Sequence, residues 1–427
     1  MITTTRAVSI LAGIAVVLVG CATGRPLMPT PNVYAAQPVN SFENVPAPRQ
    51  TPAVELLFVT DRIPEKSDAG ELRYGYQRSP SLGFGSVQVN LGDDLSWQEL
   101  VRVSRSNERD RPLELSLGPI EEIGRFPPNP APFRVVDHAV VVDEMYLAAW
   151  EQVAEQFRDE VRKRLATTSR KEVYVSVHGY NDSFENAAFD GGELWHFLGR
   201  EGVPLLYTWP AGYPGLFGYT YDRESSEFTV FHFKQTISLI SAMSEVEALH
   251  IIAHSRGTDV VTAGLRELFI EARGGGIRPL ERFKIRNLVL AAPDLDVSVV
   301  SQRLVSEQTV HGIGQFTLYF SPSDKAIAFA ERLFASPRGR LGDLDVVQLS
   351  AADRTYKERG NVADLIRFPG GSSKGYGHSY FRTDPGVSSD IVLLLRYGQE
   401  AGSPGRPLKS IGSALWEIPP GYPNYAQ

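Results

Sequence analysis

From about residue 145 onward, short apolar runs alternate with segments of helical periodicity, and this alternation constrains the fold more than any other feature. Apolar residues recur at spacings of three and four over one stretch, which predicts one face of a helix: Trp150, Val153, Phe157, Val161 and Leu165. Strands are predicted at Val173–Val177, Val203–Thr208, Leu249–Ala253, Asn287–Ala292, Phe316–Phe320 and Val346–Leu349, with helices over 183–198, 222–243 and 258–270. Such alternation predicts a mostly parallel sheet with helices on both faces.

Two strands near the N-terminus, Val54–Val59 and Ser86–Leu91, are expected to extend the same sheet. The chain therefore has one predicted α/β domain with an N-terminal extension, over residues 53–400. A Gly- and Pro-rich tail follows over 401–427 and either packs across the domain or remains loose.

The composition excludes several classes of function. The chain has 43 Lys and Arg against 50 Asp and Glu, so its net charge is −7 and it lacks the basic surplus that nucleic-acid binding requires. A single cysteine excludes a disulfide scaffold and a thiolate-rich metal site. The sequence has no H-E-x-x-H motif, no Walker loop and no G-x-G-x-x-G opening a helix after a strand. We predict no metal, no cofactor and no nucleic-acid partner.

A serine stands in the turn between a predicted strand and a predicted helix. The segment Ala253-His254-Ser255-Arg256-Gly257 resembles the G-x-S-x-G turn that exposes a nucleophile above a sheet. Small residues are needed two positions before and after the serine, because the backbone approaches neighbouring strands closely. Gly257 satisfies this, and Ala253 keeps the other position small. Ser255 is the predicted nucleophile; the alternative is a serine that only caps the helix.

A second turn, His178-Gly179-Tyr180, follows the strand at 173–177. Such a turn before a helix can direct a backbone N–H at a developing oxyanion, and acyl transfer needs two such donors. We predict the backbone N–H groups of Tyr180 and Arg256 as these donors. The His178 side chain is expected to be a buried, hydrogen-bonded structural group.

The predicted general base is His378. Hydrolases with this serine turn carry serine, acid and histidine in that order along the chain. Of the 8 histidines only His311 and His378 follow Ser255, and His378 lies in a glycine-rich loop after the last predicted strand.

The predicted acid is Asp324, which follows the strand at 316–320. It also precedes a predicted helix, so a role as helix N-cap is the alternative. Asp294 and Asp296, after the preceding strand, are the rival acids. Farther upstream, Asp222 is expected to be the N-cap of the helix over 222–243, with substrate gating as a second possibility.

These segments together resemble a bacterial α/β-hydrolase family of unknown function. The resemblance spans residues 54–398 and is carried by Thr60-Asp61-Arg62, His178-Gly179-Tyr180-Asn181, Trp209-Pro210, Tyr221-Asp222-Arg223-Glu224-Ser225, Ala253-His254-Ser255, Ala291-Ala292-Pro293-Asp294, Ser323-Asp324-Lys325-Ala326 and Gly377-His378-Ser379-Tyr380-Phe381. It implies an α/β-hydrolase fold and a Ser-Asp-His hydrolase with its candidate residues intact, and it implies no particular substrate. Arg256 stands where many members carry Met or another apolar residue.

The first 21 residues have the pattern of a bacterial lipoprotein signal. Arg6 is the only charge before an apolar run of about 14 residues, which is too short to span a bilayer. The run ends in Leu18-Val19-Gly20-Cys21, which resembles the lipobox where the signal peptide is cleaved before an acylated cysteine. We predict a signal peptide over 1–20, lipidation of Cys21 and a Pro-rich tether over 21–52. No Asp follows the cysteine, which favours the outer membrane if the source is Gram-negative.

The sequence therefore predicts a lipid-anchored serine hydrolase of the cell envelope that acts on a small-molecule or lipid-like ester. Ser255, Asp324 and His378 would form its triad. The alternative is a non-catalytic binding or tethering lipoprotein on a hydrolase scaffold, which failure of a fluorophosphonate probe to label the protein would favour.

The anchor can be tested at the cysteine. We expect Cys21→Ser to release the protein from membranes or to leave it unprocessed, because acyl chains can no longer be attached. Mass spectrometry of the mature N-terminus is the measurement. An unmodified N-terminus anywhere downstream of Cys21 would contradict the prediction.

Overall fold

The computed structural model describes residues 25–36, 41–215, 217–334, 339–343, 363–370 and 377–425. The strands in these ranges are β1 (Arg25–Pro26), β2 (Ala53–Lys66), β3 (Leu72–Leu91), β4 (Glu114–Arg125), β5 (Phe133–Val136), β6 (Ala139–Val142), β7 (Glu172–Val177), β8 (Val203–Thr208), β9 (Ala248–His254), β10 (Ile285–Ala291), β11 (Gln315–Phe320), β12 (Ala363–Arg367), β13 (Lys409–Ser410) and β14 (Leu415–Glu417). The α-helices are α1 (Val33–Ala36), α2 (Trp97–Ser104), α3 (Glu144–Ala166), α4 (Phe184–Phe197), α5 (Gly218–Ser241), α6 (Gly257–Gly274), α7 (Pro279–Phe283), α8 (Val297–Val300), α9 (Lys325–Phe334), α10 (Tyr380–Thr383) and α11 (Pro385–Leu395).

Twelve of these strands form one sheet, in the order β1-β4-β3-β2-β8-β7-β9-β10-β11-β12-β14-β13. Neighbouring strands from β2 to β14 in this order are parallel, and the strands at both edges pair antiparallel. The predicted fold class is confirmed, including the N-terminal strands that extend the sheet. The predicted strand at 346–349 lies outside the described residues.

Alternate residues of the central strands face two different layers of helices. On β2, Leu57 and Val59 belong to one buried cluster, which α3, α5 and α6 complete. Leu56 and Phe58 belong to the other, which α4 and α11 complete. A strand that is buried on both faces must be apolar at nearly every position, which is why these strands appear in the sequence as short continuous apolar runs.

The described part of the N-terminal segment, residues 25–36 and 41–52, is not the extended tether that its proline content predicts. Leu27, Met28, Val33 and Tyr34 are buried against the second core cluster. β1 pairs with the start of β4, and the backbone N–H of Leu27 donates to the carbonyl of Leu113 at 2.7 Å. Proline restricts the unfolded chain, so a Pro-rich segment loses less entropy when it docks, and composition alone does not distinguish the two states.

The C-terminal segment also packs on the domain. β13 and β14 extend the sheet beyond β12, and Leu408, Leu415 and Ile418 are buried. For residues 401–425 the structure therefore selects the packed alternative over the loose one.

β5 and β6 form a hairpin separate from the main sheet, with its apolar side chains in solvent. Phe133, Val135 and Val140 are 62%, 64% and 65% exposed. Asp137 and His138 form its turn with positive φ angles of 49° and 64°. No helix in the described ranges is long and apolar enough to cross a bilayer.

A buried ion pair holds the C-terminal segment to the domain. Arg406 donates from Nε and Nη2 to the two oxygens of Asp390 in α11, at 2.9 and 2.7 Å, and both side chains are fully buried. The hydroxyls of Tyr319 and Tyr422 donate to the same carboxylate at 2.6 and 2.5 Å. The buried charges of Arg406 and Asp390 are therefore paired with each other inside the protein.

We expect Arg406→Ala to lower the free energy of unfolding by about 3–5 kcal/mol, because it leaves the Asp390 carboxylate buried without its cation. Urea unfolding followed by circular dichroism measures the change. The matched control is Lys409→Ala, which removes an exposed ion pair with Glu417 and should cost at most about 1 kcal/mol. Equal losses in the two variants would contradict this account.

Candidate active site

Ser255 lies at the sharp turn between β9 and α6. Its φ angle is +51°, in the left-handed region that a non-glycine residue adopts only under constraint. The constraint is the backbone of the neighbouring turn: a Cβ on Gly257 would lie 2.2 Å from the carbonyl oxygen of His178. The Ser255 N–H donates to the carbonyl of Ala291 at 3.0 Å, which ties the turn to the end of β10. The small residue predicted after the serine is thus required by a close backbone approach.

His378 and Asp324 meet, although 54 residues separate them along the chain. His378 Nδ1 lies 2.7 Å from Asp324 Oδ2, and the Asp324 side chain is fully buried. The other oxygen, Oδ1, accepts the N–H groups of Ala326 and Ile327 at 3.0 and 3.1 Å and caps α9. The two predicted roles of Asp324 therefore coexist, one on each oxygen. With Nδ1 occupied in this way, Nε2 is the free nitrogen for proton transfer.

The rival acids make other contacts. The Asp294 carboxylate accepts the Tyr219 hydroxyl at 2.5 Å and forms ion pairs with Arg340 and, at 3.9 Å, with Arg256. Asp296 caps α8 through the N–H groups of Ser298 and Val299, at 2.8 and 3.3 Å.

The remaining histidine after the serine lies elsewhere. His311 is part of a short 3₁₀ turn, Thr309–Gly312, before β11. Among the described residues, the geometry joins His378 to Asp324 and to neither Asp294 nor Asp296, and the catalytic roles remain predictions.

The predicted lipidation site, Cys21, lies outside the described residues.

The predicted oxyanion donors lie on two adjoining turns. A Cβ on Gly179 would lie 2.7 Å from the Ser255 Cβ, so the turn that carries Tyr180 directly adjoins the serine. Within the described ranges, no hydrogen bond uses the backbone N–H of Tyr180 or of Arg256. Both donors are therefore free for a ligand oxygen, as acyl-transfer chemistry requires.

Asp222 is not an N-cap, because α5 begins at Gly218 and places Asp222 inside the helix. Its carboxylate instead accepts the N–H of Asn181 at 2.9 Å and that of Gly212 at 3.1 Å. Asn181 follows Tyr180 directly, so Asp222 holds the turn that carries Tyr180. The expected cap is wrong because the helix starts one turn earlier than its charge pattern indicates.

Arg62 holds the same turn through a second set of hydrogen bonds. Its guanidinium is buried and donates to the carbonyls of Asp182 at 2.9 Å and Ala211 at 3.0 Å. Thr60-Asp61-Arg62 belongs to the family resemblance, but no pattern in the sequence predicts what the Arg62 side chain does. Only a contact across 120 residues shows that Arg62 supports the turn.

His178 is a structural histidine, as expected. Its Nε2 accepts the backbone N–H of Trp209 at 3.1 Å, and its ring stacks on the Trp209 ring. Burial, and then the charge of Arg62, lower the pKa of His178 to about 3. The ring is therefore neutral at physiological pH and adds no charge beside the serine.

His254 supports the loop of the predicted base and was not singled out from the sequence. Its Nε2 lies 3.2 Å from the carbonyl oxygen of His378, and the two rings are 4.7 Å apart. Burial, and then the nearby His378, lower the pKa of His254 to about 3. The neutral imidazole can donate from Nε2 and so fix the backbone of His378.

Metal-ligating residues do not converge here. In the part of the chain that the structure describes, no group of three or more His, Cys, Asp and Glu is placed to hold a metal ion. The site consists of side-chain and backbone groups suited to nucleophilic and acid–base chemistry.

Comparison with known proteins gives one family. The family described as alpha/beta hydrolase of unknown function (DUF900) matches residues 153–396, which is more than half of the chain. A solved structure with some similarity is an extracellular alpha/beta-hydrolase from a Paenibacillus species, described as homologous in structure and function to Tobacco Salicylic Acid Binding Protein 2. It is 13% identical with a TM-score of 0.23, and the match covers 52% of this chain and 97% of that one. No curated protein matches the chain. The family match confirms the resemblance stated above and suggests a hydrolase activity.

The acid assignment can be tested by paired substitutions. We expect Asp324→Asn to reduce kcat by about 10⁴-fold, because the amide no longer holds His378 in the required tautomer. Asp294→Asn should leave kcat within a few-fold per folded molecule and should lower the melting temperature, since it weakens the contacts with Arg340 and Tyr219. Turnover and thermal unfolding, measured side by side, separate the two. Loss of turnover only in Asp294→Asn would contradict the assignment.

Proposed function

Because the chain belongs to the family of alpha/beta hydrolases of unknown function, we propose that it is a serine hydrolase that cleaves carboxylic esters. The observation that carries the proposal is the 2.7 Å contact between His378 Nδ1 and the buried carboxylate of Asp324. A histidine–carboxylate contact of this kind elsewhere in a protein would be unremarkable. Here it accompanies a serine in a constrained turn and two free backbone donors.

In the acylation step, the Ser255 hydroxyl oxygen attacks the ester carbonyl carbon while His378 Nε2 takes the hydroxyl proton. Asp324 stabilises the resulting imidazolium through its bond with Nδ1. The carbonyl oxygen becomes an oxyanion, which accepts hydrogen bonds from the N–H groups of Tyr180 and Arg256. The bond to the alcohol oxygen then breaks, and His378 gives the proton to the departing alcohol.

In the deacylation step, water attacks the acyl carbon and loses a proton to His378. The second oxyanion occupies the same backbone donors. Collapse of this intermediate breaks the bond to Ser255, and His378 returns the proton to the serine oxygen. The products are a carboxylic acid and an alcohol, and the residues return to their starting protonation states.

We also propose that the protein works at the cell envelope as a lipoprotein anchored through Cys21. The support is the apolar run that ends in Leu18-Val19-Gly20-Cys21. Such an anchor places the enzyme at a lipid surface, on the periplasmic side of the outer membrane in a Gram-negative source. A lipid-like ester is the substrate class that this location favours.

The nucleophile is tested by Ser255→Ala. We expect ester hydrolysis to fall by about 10³-fold or more, because the triad acts as a unit, and covalent labelling by a fluorophosphonate probe to disappear. The measurements are turnover of a series of short- to long-chain acyl esters and probe labelling of the purified protein.

Ser244→Ala is the matched control, since Ser244 is an exposed serine beyond the C-terminal end of α5. It should retain full turnover and labelling. A correctly folded Ser255→Ala protein with unchanged turnover would rule out Ser255 as the nucleophile.

A further inference from the structure

Arg25 attaches the N-terminal segment firmly to α4. Its guanidinium lies 2.5 Å from Asp190 Oδ1 and forms a second ion pair with Glu193, whose side chain is almost fully buried. The backbone N–H of Met28 also donates to Glu193. Charged groups that are paired in this way inside a protein are costly to separate. The segment that begins at Arg25 is therefore part of the rigid domain.

Only three residues separate Cys21 from this attachment point. Four Cα–Cα steps span at most about 14 Å, even when the chain is fully extended. A domain of about 400 residues has a radius of gyration near 21 Å. A lipid on Cys21 would therefore be joined to the domain by residues 22–24, which we call the leash and which are shorter than the domain radius. With so short a leash, the domain could not turn its other faces to the membrane.

The face held in this way adjoins the predicted base. Arg382, in α10, lies 3.3 Å from Asp190 and 3.9 Å from Glu193, so it shares both carboxylates with Arg25. Arg382 follows His378 by four residues, which again span at most about 14 Å. Two carboxylates thus connect the attachment point of the leash to the helix that follows the His378 loop.

Two exposed aromatic residues, Tyr180 and Phe217, form what we call the aromatic rim, and Tyr180 lies in the turn that adjoins Ser255. Tyr180 is 37% exposed and Phe217 is 71% exposed, at the start of α5. The next residue, Gly218, would place a Cβ 3.4 Å from the Tyr180 hydroxyl, so the two aromatic residues border one rim. Aromatic side chains of this kind are favoured at membrane–water interfaces.

We propose that the short leash holds the active-site rim against the bilayer, and that the enzyme takes an acyl-lipid ester from the membrane in which it is anchored. This inference rests on the proposed function and on acylation of Cys21. It narrows the substrate class from a lipid-like ester to an acyl lipid embedded in the same bilayer, and it assigns a role to the docking of Arg25. The occupant of the aromatic rim is then lipid.

The test lengthens the leash without disturbing the domain. A flexible segment of about 40 Gly and Ser residues is inserted between Thr23 and Gly24, in the acylated protein bound to vesicles. Turnover is measured for a soluble short-chain ester, for a long-chain acyl ester in the same vesicles, and for that ester in separate vesicles. We expect turnover in the same vesicles to fall on the order of ten-fold, because the effective concentration of the site at the surface decreases with linker length. Soluble-ester turnover should be unchanged.

The matched control carries the same insertion between Gly275 and Gly276, an exposed loop with open space around Gly276. It should keep full activity on both esters. Unchanged same-vesicle turnover with the longer leash would overturn the inference, and so would equal turnover of the ester in separate vesicles. Absence of lipid on Cys21 would also overturn it, while soluble-ester turnover would still support the hydrolase. Absence of any ester turnover in the unaltered protein would instead overturn the proposed function.

Discussion

The site depends on the close contact between two backbone turns. The turn after β7 and the turn after β9 approach until Gly257 leaves no room for a Cβ beside the His178 carbonyl, and Gly179 lies against the Cβ of Ser255. This contact accompanies the positive φ of Ser255 and brings the turn that carries Tyr180 against the turn that carries Ser255 and Arg256. Parallel strands make the contact possible, because their carboxyl ends meet at one edge of the sheet. The groups proposed for catalysis are therefore positioned by main-chain packing before any ligand binds.

Buried polar side chains secure the turn that carries Tyr180. Asp222 accepts the N–H of Asn181, and Arg62 donates to the carbonyl of Asp182, so two buried side chains hold this turn. Both side chains act through specific hydrogen bonds and not only through their charge. A buried carboxylate or guanidinium that loses its partners costs several kcal/mol, so each group favours the one arrangement of the turn that satisfies it. Preorganised donors of this kind are the ones that stabilise an oxyanion without a cost at the moment of reaction.

The sequence was sufficient where the signal was local. Continuous apolar runs locate β7 to β11. The order of serine, acid and histidine permits several candidates, and positions after late strands favour Asp324 and His378, which lie 2.7 Å apart in the structure. It was insufficient where contacts span long separations. Arg62 reaches Asp182 across 120 residues and Arg25 reaches Glu193 across 168, and no periodicity marks such pairs. The tether prediction for the Pro-rich segment is wrong for the same reason: its apolar residues are too few for a pattern, although the folded domain buries those that the structure describes.

Asp324 shows why competing assignments from sequence need not exclude each other. The position directly before a helix favours a carboxylate as N-cap, and the position after a late strand favours a carboxylate as the partner of the base. A carboxylate has two oxygens, and here Oδ1 meets the first N–H groups of α9 while Oδ2 meets His378. The cap also serves the second role, because bonds to Oδ1 fix the plane of the carboxylate and with it the direction of Oδ2. An amide at this position can keep an oxygen at the cap, but it then presents an N–H donor to Nδ1, which inverts the hydrogen bond that orients the imidazole.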